Sequence, residues 1–199
     1  LAYQQVIRFI PEGQLDGVIQ RAKQKRNPDV DVNAQVFRGI KEGLAQRGGN
    51  TKAKLMEPWG KEIAEGLLRK YPAEYDSISN QIIARQSFAI QLAGDYKVQS
   101  LEPALKAFLE NKSVENMELK TSALRSLLKL ATDNSVVELA GKILTDDSAS
   151  VAYKKRVTAV LGESPGPAVN KVLMEVKKAP ADLEVEIATA LASTSEGKE

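Results

Sequence analysis

One short helical phrase recurs four times over the last third and middle of this chain, and it constrains the fold more than any other feature. The phrase places a hydrophobic or small residue four positions before a Leu, follows that Leu with a small or apolar residue, and then turns polar. It reads Phe88-Ala89-Ile90-Gln91-Leu92-Ala93, Ala123-Leu124-Arg125-Ser126-Leu127-Leu128, Val157-Thr158-Ala159-Val160-Leu161-Gly162 and Ile187-Ala188-Thr189-Ala190-Leu191-Ala192, with Leu-to-Leu intervals of 35, 34 and 30. A period in that range is the mark of stacked helical hairpins, each too small to bury its apolar face without a neighbour.

The intervening helices repeat as well. Leu105-Phe108-Leu109, Ala140-Ile143-Leu144 and Val172-Leu173-Val176 each carry a buried stripe at three-and-four spacing, and polar stops such as Glu110-Asn111-Lys112 and Thr145-Asp146-Asp147 follow. Two stripes per repeat, one on each helix, is what a two-layer stack requires. The expected pairs are 80–92 with 101–109, 117–131 with 136–144, and 151–161 with 168–176, leaving 182–192 without a partner. Residues 80–199 thus form the regular array, stacked continuously on an irregular helical region of residues 1–79.

In that first region the punctuation predicts helices over residues 1–10, stopped by Pro11, and 14–25, closed by the turn Asn27-Pro28-Asp29. Asn33 is the expected N-cap of a helix over 34–47 with the stripe Val36, Phe37, Ile40 and Leu44, and Gly48-Gly49-Asn50 ends it. Pro58 is expected at the first position of a helix over 59–70, which Tyr71-Pro72 closes, followed by a short helical turn over 73–77.

The side chains on offer exclude most familiar active sites. The chain has no Cys and no His, so thiol nucleophiles, Ser-His and Cys-His dyads and the usual zinc and heme ligands are all missing. Paired carboxylates or a desolvated Lys would have to serve instead, and no spacing singles out such a set. The reading is therefore that this chain is no enzyme and takes no cofactor and no metal. No window of about 18 uninterrupted apolar residues is present, so no membrane insertion is expected. With 28 basic against 26 acidic residues the charge is near balance, and nucleic acid is not the expected partner. Apolar residues make up 43% of the 199, enough for a continuous core.

Individual features read as structure. Trp59, with Tyr71 and Tyr75 nearby, offers a stacking platform on paper, but a helix-opening Trp is more simply a core residue filling the joint between the irregular and regular halves. Gly39 and Gly43, four apart in one helix, imply a close helix contact. Gly48-Gly49 and Gly162 to Gly166 lack the layout of a phosphate loop and are helix exits. Arg21, Lys23, Lys25 and Arg26 complement a helix C-terminus, Lys154-Lys155-Arg156 and Lys177-Lys178 are surface charge, and Asp146-Asp147 is a solvated turn.

At Arg85 before Ala89-Leu92, Lys120 before Ala123-Leu127, and Lys155-Arg156 before Ala159-Leu161, the chain resembles HEAT repeats. The resemblance implies an all-α fold, a right-handed alpha-alpha superhelix of HEAT-like helical hairpins. More narrowly, Val36-Phe37-Arg38-Gly39-Ile40-Lys41-Glu42-Gly43-Leu44, Trp59-Gly60 and the closing Leu191-Ala192-Ser193-Thr194-Ser195-Glu196-Gly197 are similar to the HEAT segment of large secreted bacterial proteins. Those join a dehydrogenase-like propeller to a C-terminal heme-c domain. That resemblance implies a periplasmic or extracellular connector in a larger, redox-active polypeptide; without it, a cytoplasmic setting is expected. The function expected is a non-catalytic scaffold for contacts with a protein partner or with adjacent domains. An extended concave surface lined by the second helices would carry recognition, through Glu102, Lys106, Glu138, Lys142, Lys171 and Glu175 by helical phase. The rival class is a HEAT-like nucleic-acid-binding or DNA-repair enzyme. Because only seven residues follow Ala192, too few to cover the stripe Leu183, Ile187 and Leu191, a further helix or domain is expected after Glu199.

Overall fold

The computed structural model describes residues 2–25, 27–48, 53–75, 79–111, 114–176 and 179–193. Among these the chain is all-helical, with eleven α-helices, one 3-10 turn and no strand, where the sequence predicts roughly ten helices. It divides into two compact units, residues 1–98 and 99–199.

The first unit holds α1 (Ala2–Phe9), α2 (Glu12–Gln24), α3 (Val30–Gln46), α4 (Ala53–Lys70) and α5 (Asn80–Asp95). Helix α4 packs against both α3 and α5, while α1 lies across α3. The crossing falls where Gly39 and Gly43 remove side chains from α3. A Cβ at Gly43 would sit 2.8 Å from the Gln4 carbonyl oxygen and 2.8 Å from Ile7 Cβ, so the glycine pair serves the close helix contact its spacing implies. Arg47 then fastens the end of α1. Its Nη1 donates to the carbonyls of Ile7, at 3.0 Å, and Ile10, and its Nη2 pairs with Glu12 at 3.0 Å.

An aromatic cluster forms the centre of this unit. Phe37 meets Trp59 edge-on at 5.3 Å and Tyr96 at 6.2 Å, with Phe88 tilted against it at 6.4 Å. Trp59 is 2% exposed. It is a core residue of the first unit and offers no stacking platform.

Three helix boundaries differ by three residues or more from those the punctuation predicts. Helix α3 starts one turn early, with Asp29 rather than Asn33 as its N-cap; the Asp29 carboxylate accepts from Asp31 N–H at 3.1 Å. Asn33 instead closes the preceding turn, exchanging hydrogen bonds with the backbone of Asn27 at 2.9 and 2.8 Å. Helix α4 runs through Pro58, losing one hydrogen bond. The extra N-terminal turn buries Met56 on the same stripe as Trp59, Ile63 and Leu67, and burying a Met, worth roughly 1.5–3 kcal/mol, offsets much of the roughly 3 kcal/mol that a proline inside a helix costs. Helix α5 continues past Gly94 and ends in a Schellman turn. Val98 N–H donates to Ala93 O at 2.9 Å, Lys97 N–H donates to Gly94 O at 3.3 Å, and Lys97 takes φ 48°, in the left-handed region. Residues 73–75 form a turn rather than helix, Tyr75 N–H donating to Pro72 O at 3.0 Å; residues 76–77 of that expectation, and Gly49-Asn50, lie outside the described residues.

The second unit opens with the 3-10 turn Gln99–Leu101 and contains α6 (Glu102–Glu110), α7 (Met117–Leu130), α8 (Ser135–Thr145), α9 (Val151–Gly162), α10 (Pro167–Glu175) and α11 (Ala181–Ala192). Side-chain caps start two of them: Asn116 accepts from Leu119 N–H at 3.0 Å and Ser150 from Tyr153 N–H at 3.2 Å. Helices α7, α9 and α11 lie in one row, α8 and α10 are neighbours in a second, and α6–α7, α7–α8, α8–α9, α9–α10 and α10–α11 contacts join the rows. Leu127 and Leu161 are fully buried between them.

Glycines and ion pairs set the spacing of the rows. Gly162 lets α11 approach α9, a Cβ there lying 3.2 Å from Ala190 Cβ, and Gly141 meets Val172 of α10 at 3.0 Å. Across the first row Arg125 grips Glu163 twice, at 2.6 and 2.7 Å, and Arg156 pairs with Glu118 at 2.7 Å. In α11, Leu183 and Ile187 are buried, 1% and 9% exposed, against α9 and α10. Val185 on the same helix is 67% exposed. Among the described residues no helix is long and apolar enough to cross a membrane.

Candidate functional site

The six residues picked by helical phase do not behave as one set. Glu102 and Lys106 pair with each other at 2.8 Å, and Gln99 Nε2 donates to Glu102 at 2.8 Å. Both side chains are half-buried, and each serves the other first: the Lys106 hydrogen bond holds the Glu102 carboxyl below the usual carboxylate range, while Glu102 raises the Lys106 ammonium. Glu138 and Lys142 are exposed on α8, and Lys171 and Glu175 are exposed on the adjacent α10. Lys142 lines a recess.

That recess belongs to the second unit and has a volume of about 540 Å³. Its walls come from the end of α6, the start of α7, the last half of α8 and the start of α9, so it lies between two successive interhelical loops. Leu109, Met117, Leu139 and Ile143 supply apolar surface, and Lys120, Lys142 and Tyr153 the polar groups. Lys120 faces inward because it sits one turn into α7, next to the fully buried Leu119 and the buried Thr121. Its ammonium lies 5.6 Å from the Tyr153 ring centroid, and no carboxylate among the described residues pairs with it. Desolvation pushes its pKa down from the ordinary lysine value. Tyr153 is 9% exposed, its hydroxyl is buried without a hydrogen-bond partner among the described residues, and burial pushes that hydroxyl up to about 12. Glu110, Glu115 and Asp146 are exposed carboxylates on the same walls; Asp146 accepts from Ser148 N–H at 2.8 Å and Ser148 Oγ at 2.7 Å.

The first unit carries a buried charge cluster that the sequence reading does not single out. Asp31, in the first turn of α3, is 8% exposed. Its Oδ2 accepts from Lys70 Nζ and from Tyr71 Oη, each at 2.7 Å, and its Oδ1 accepts from Arg85 Nε at 2.5 Å. Lys70 also reaches Asp29 at 2.9 Å. Burial pushes the Asp31 carboxyl up, but the hydrogen bonds from Lys70, Tyr71 and Arg85 outweigh it and leave the net shift downward. Burial and the bond to Asp31 raise Tyr71.

Other features fall into ordinary roles. Arg156 is taken by Glu118, and Asp146 caps its own turn. Among the described residues no group of three or more His, Cys, Asp and Glu side chains is placed to hold a metal ion. Lys177-Lys178 and Arg26 lie outside the described residues. Comparison of the chain with family models, with curated proteins and with solved structures finds no match.

Sequence reasoning noted Arg85 and Lys120 as basic residues inside first helices and Tyr71 as a helix stop. It missed Asp31 because the helix start was set at Asn33, which left Asp31 in a loop. The available signal was an Asp two residues past an Asp N-cap, placed to begin the buried side of the helix.

Proposed function

We propose that this chain is a non-catalytic helical-repeat module of the HEAT type, a right-handed superhelix in its second unit, that makes contacts with a protein partner or with adjacent domains, and that the contact centres on the recess between α6–α7 and α8–α9. The row of α7, α9 and α11 backed by α8 and α10 supports the repeat reading. The observation that carries the functional one is Lys120. A half-buried ammonium without a carboxylate partner, set in an apolar recess beside an unpartnered tyrosine hydroxyl, costs the isolated fold free energy, and a polar group of a partner segment would recover it. The volume suits a few side chains of a docked polypeptide.

The test compares four baits that share one fold by circular dichroism: the wild type, Lys120→Met, Lys142→Glu and Lys171→Glu. A partner polypeptide held by the wild type and by Lys171→Glu, but lost from both recess variants, supports the recess. Equal retention by all four overturns it, and loss from Lys171→Glu alone moves the contact to α10. The nucleic-acid alternative lacks its stacking group, since Trp59 lies in the core; duplex-DNA binding that weakens steeply with salt would favour that alternative.

A further inference from the structure

The first unit has its own recess, about 300 Å³, beside the Asp31 cluster. Leu67, fully buried, and Phe88, 7% exposed, form its apolar part, and Arg38, Arg85, Gln35, Gln81 and the Asp31 carboxylate its polar part. The two arginines are held in place by different means. The Arg38 guanidinium lies over the Phe88 ring at 4.3 Å from the centroid, with no carboxylate partner among the described residues. Arg85 uses its Nε on Asp31, which fixes the plane of its guanidinium and leaves both terminal nitrogens without a hydrogen-bond partner among the described residues.

Asp31 and Asp29 bring two negative charges against the three positive charges of Lys70, Arg85 and Arg38, so one positive charge is left over in the group. The recess therefore combines two pre-positioned guanidinium forks, two side-chain amides and an apolar wall. Guanidinium forks match the paired oxygens of a carboxylate or phosphate, and fixing them beforehand lowers the entropy cost of binding.

We propose that this recess binds a small oxyanion, a carboxylate or phosphate group carried on an apolar body, with Arg38 and the terminal nitrogens of Arg85 as donors and Phe88 as the packing surface. The site is independent of the recess in the second unit, and its success or failure leaves the proposed function untouched.

The test titrates the intact chain with inorganic phosphate and with benzoate at constant ionic strength, chloride serving as the control, and follows the arginine Nε–Hε resonances. Saturable shifts at Arg38 and Arg85 are expected for at least one probe. Phosphate alone would assign a phosphate group, and benzoate alone a carboxylate on an apolar body. Arg38→Gln is expected to weaken binding by about tenfold, the scale of one charge-assisted contact, in a variant whose circular dichroism matches the wild type. Arg85→Lys keeps the charge and loses the planar fork, so it is expected to weaken binding too. Shifts that stay linear and equal those of chloride, or unaltered affinity in Arg38→Gln, would overturn the proposal.

Discussion

Arg85 and Asp31 are 54 positions apart in sequence and 2.5 Å apart in space, Nε to Oδ1. The contact ties the middle of α5 to the first turn of α3, and Lys70 and Tyr71 bring the end of α4 to the same carboxylate. One buried Asp thereby holds three helices of the first unit in register.

Replacing Asp31 by Asn removes the charge these donors share. The partly exposed Arg85 and Lys70 regain water, so the expected loss is about 1–3 kcal/mol, below that for a fully buried pair. The pH dependence follows from the depressed carboxyl. Its contribution is fully present above the unfolded aspartate value near 4 and is lost as the pH falls through the lower folded value. Denaturant midpoints measured from pH 7 to pH 2 should show the wild type losing this stability below about pH 4, with Asp31→Asn lacking that part of the decline.

Leu127 of α7 and Leu161 of the neighbouring α9 are both fully buried, at the same place in the recurring Leu phrase. Truncating either to Ala should cost roughly 2–5 kcal/mol, as at other core leucines. Urea midpoints that hardly move for both would refute the shared register.

Gly43→Ala places a methyl group 2.8 Å from a backbone oxygen of α1 and from Ile7 Cβ. Neither neighbour is the far end of a flexible side chain, so α1 must shift as a body. The expected cost is about 1–3 kcal/mol, with faster amide exchange confined to α1. Unchanged exchange there, with an unchanged melting temperature, would contradict the crossing.

Lys97 holds a left-handed conformation, φ 48°, at the end of α5. Such a residue costs roughly 1–2 kcal/mol that glycine does not. Lys97→Gly should accordingly raise the thermal midpoint even though the lysine is exposed, an outcome calorimetry can check directly.

Burial pushes the hydroxyls of Tyr96 and Tyr153 up to about 12. Because the neutral form is favoured in the fold, the stability they contribute is present below the unfolded tyrosine value of about 10 and is lost as the pH rises toward 12. Absorbance at the tyrosinate band should show a late step near pH 12 that Tyr96→Phe and Tyr153→Phe each diminish, and that disappears in urea.

The sequence by itself determined the helical content, because stripes at three-and-four spacing, dense polar stops and the 35- and 34-residue Leu intervals are all local signals. It also determined that Gly39 and Gly43 would face another helix, since two glycines one turn apart leave a gap only a backbone fills. Where a local rule met a packing demand, the tertiary structure decided. Burying Met56 carried α4 through Pro58, and burying Asp31 under α4 and α5 moved the α3 cap from Asn33 to Asp29. Helix α5, which repeats the Leu phrase, packs on α4 within the first unit, and the two compact units meet in sequence at Val98 and Gln99. The candidate sites were the least legible part. Helical phase placed Lys142 at the surface and the HEAT-like spacing marked Lys120 as a basic residue ahead of a stripe, yet nothing in the string showed that two loops would bring both to one recess. A recess or a charge cluster is built from residues tens of positions apart, whose proximity follows from how helices pack and not from the spacing along any one of them.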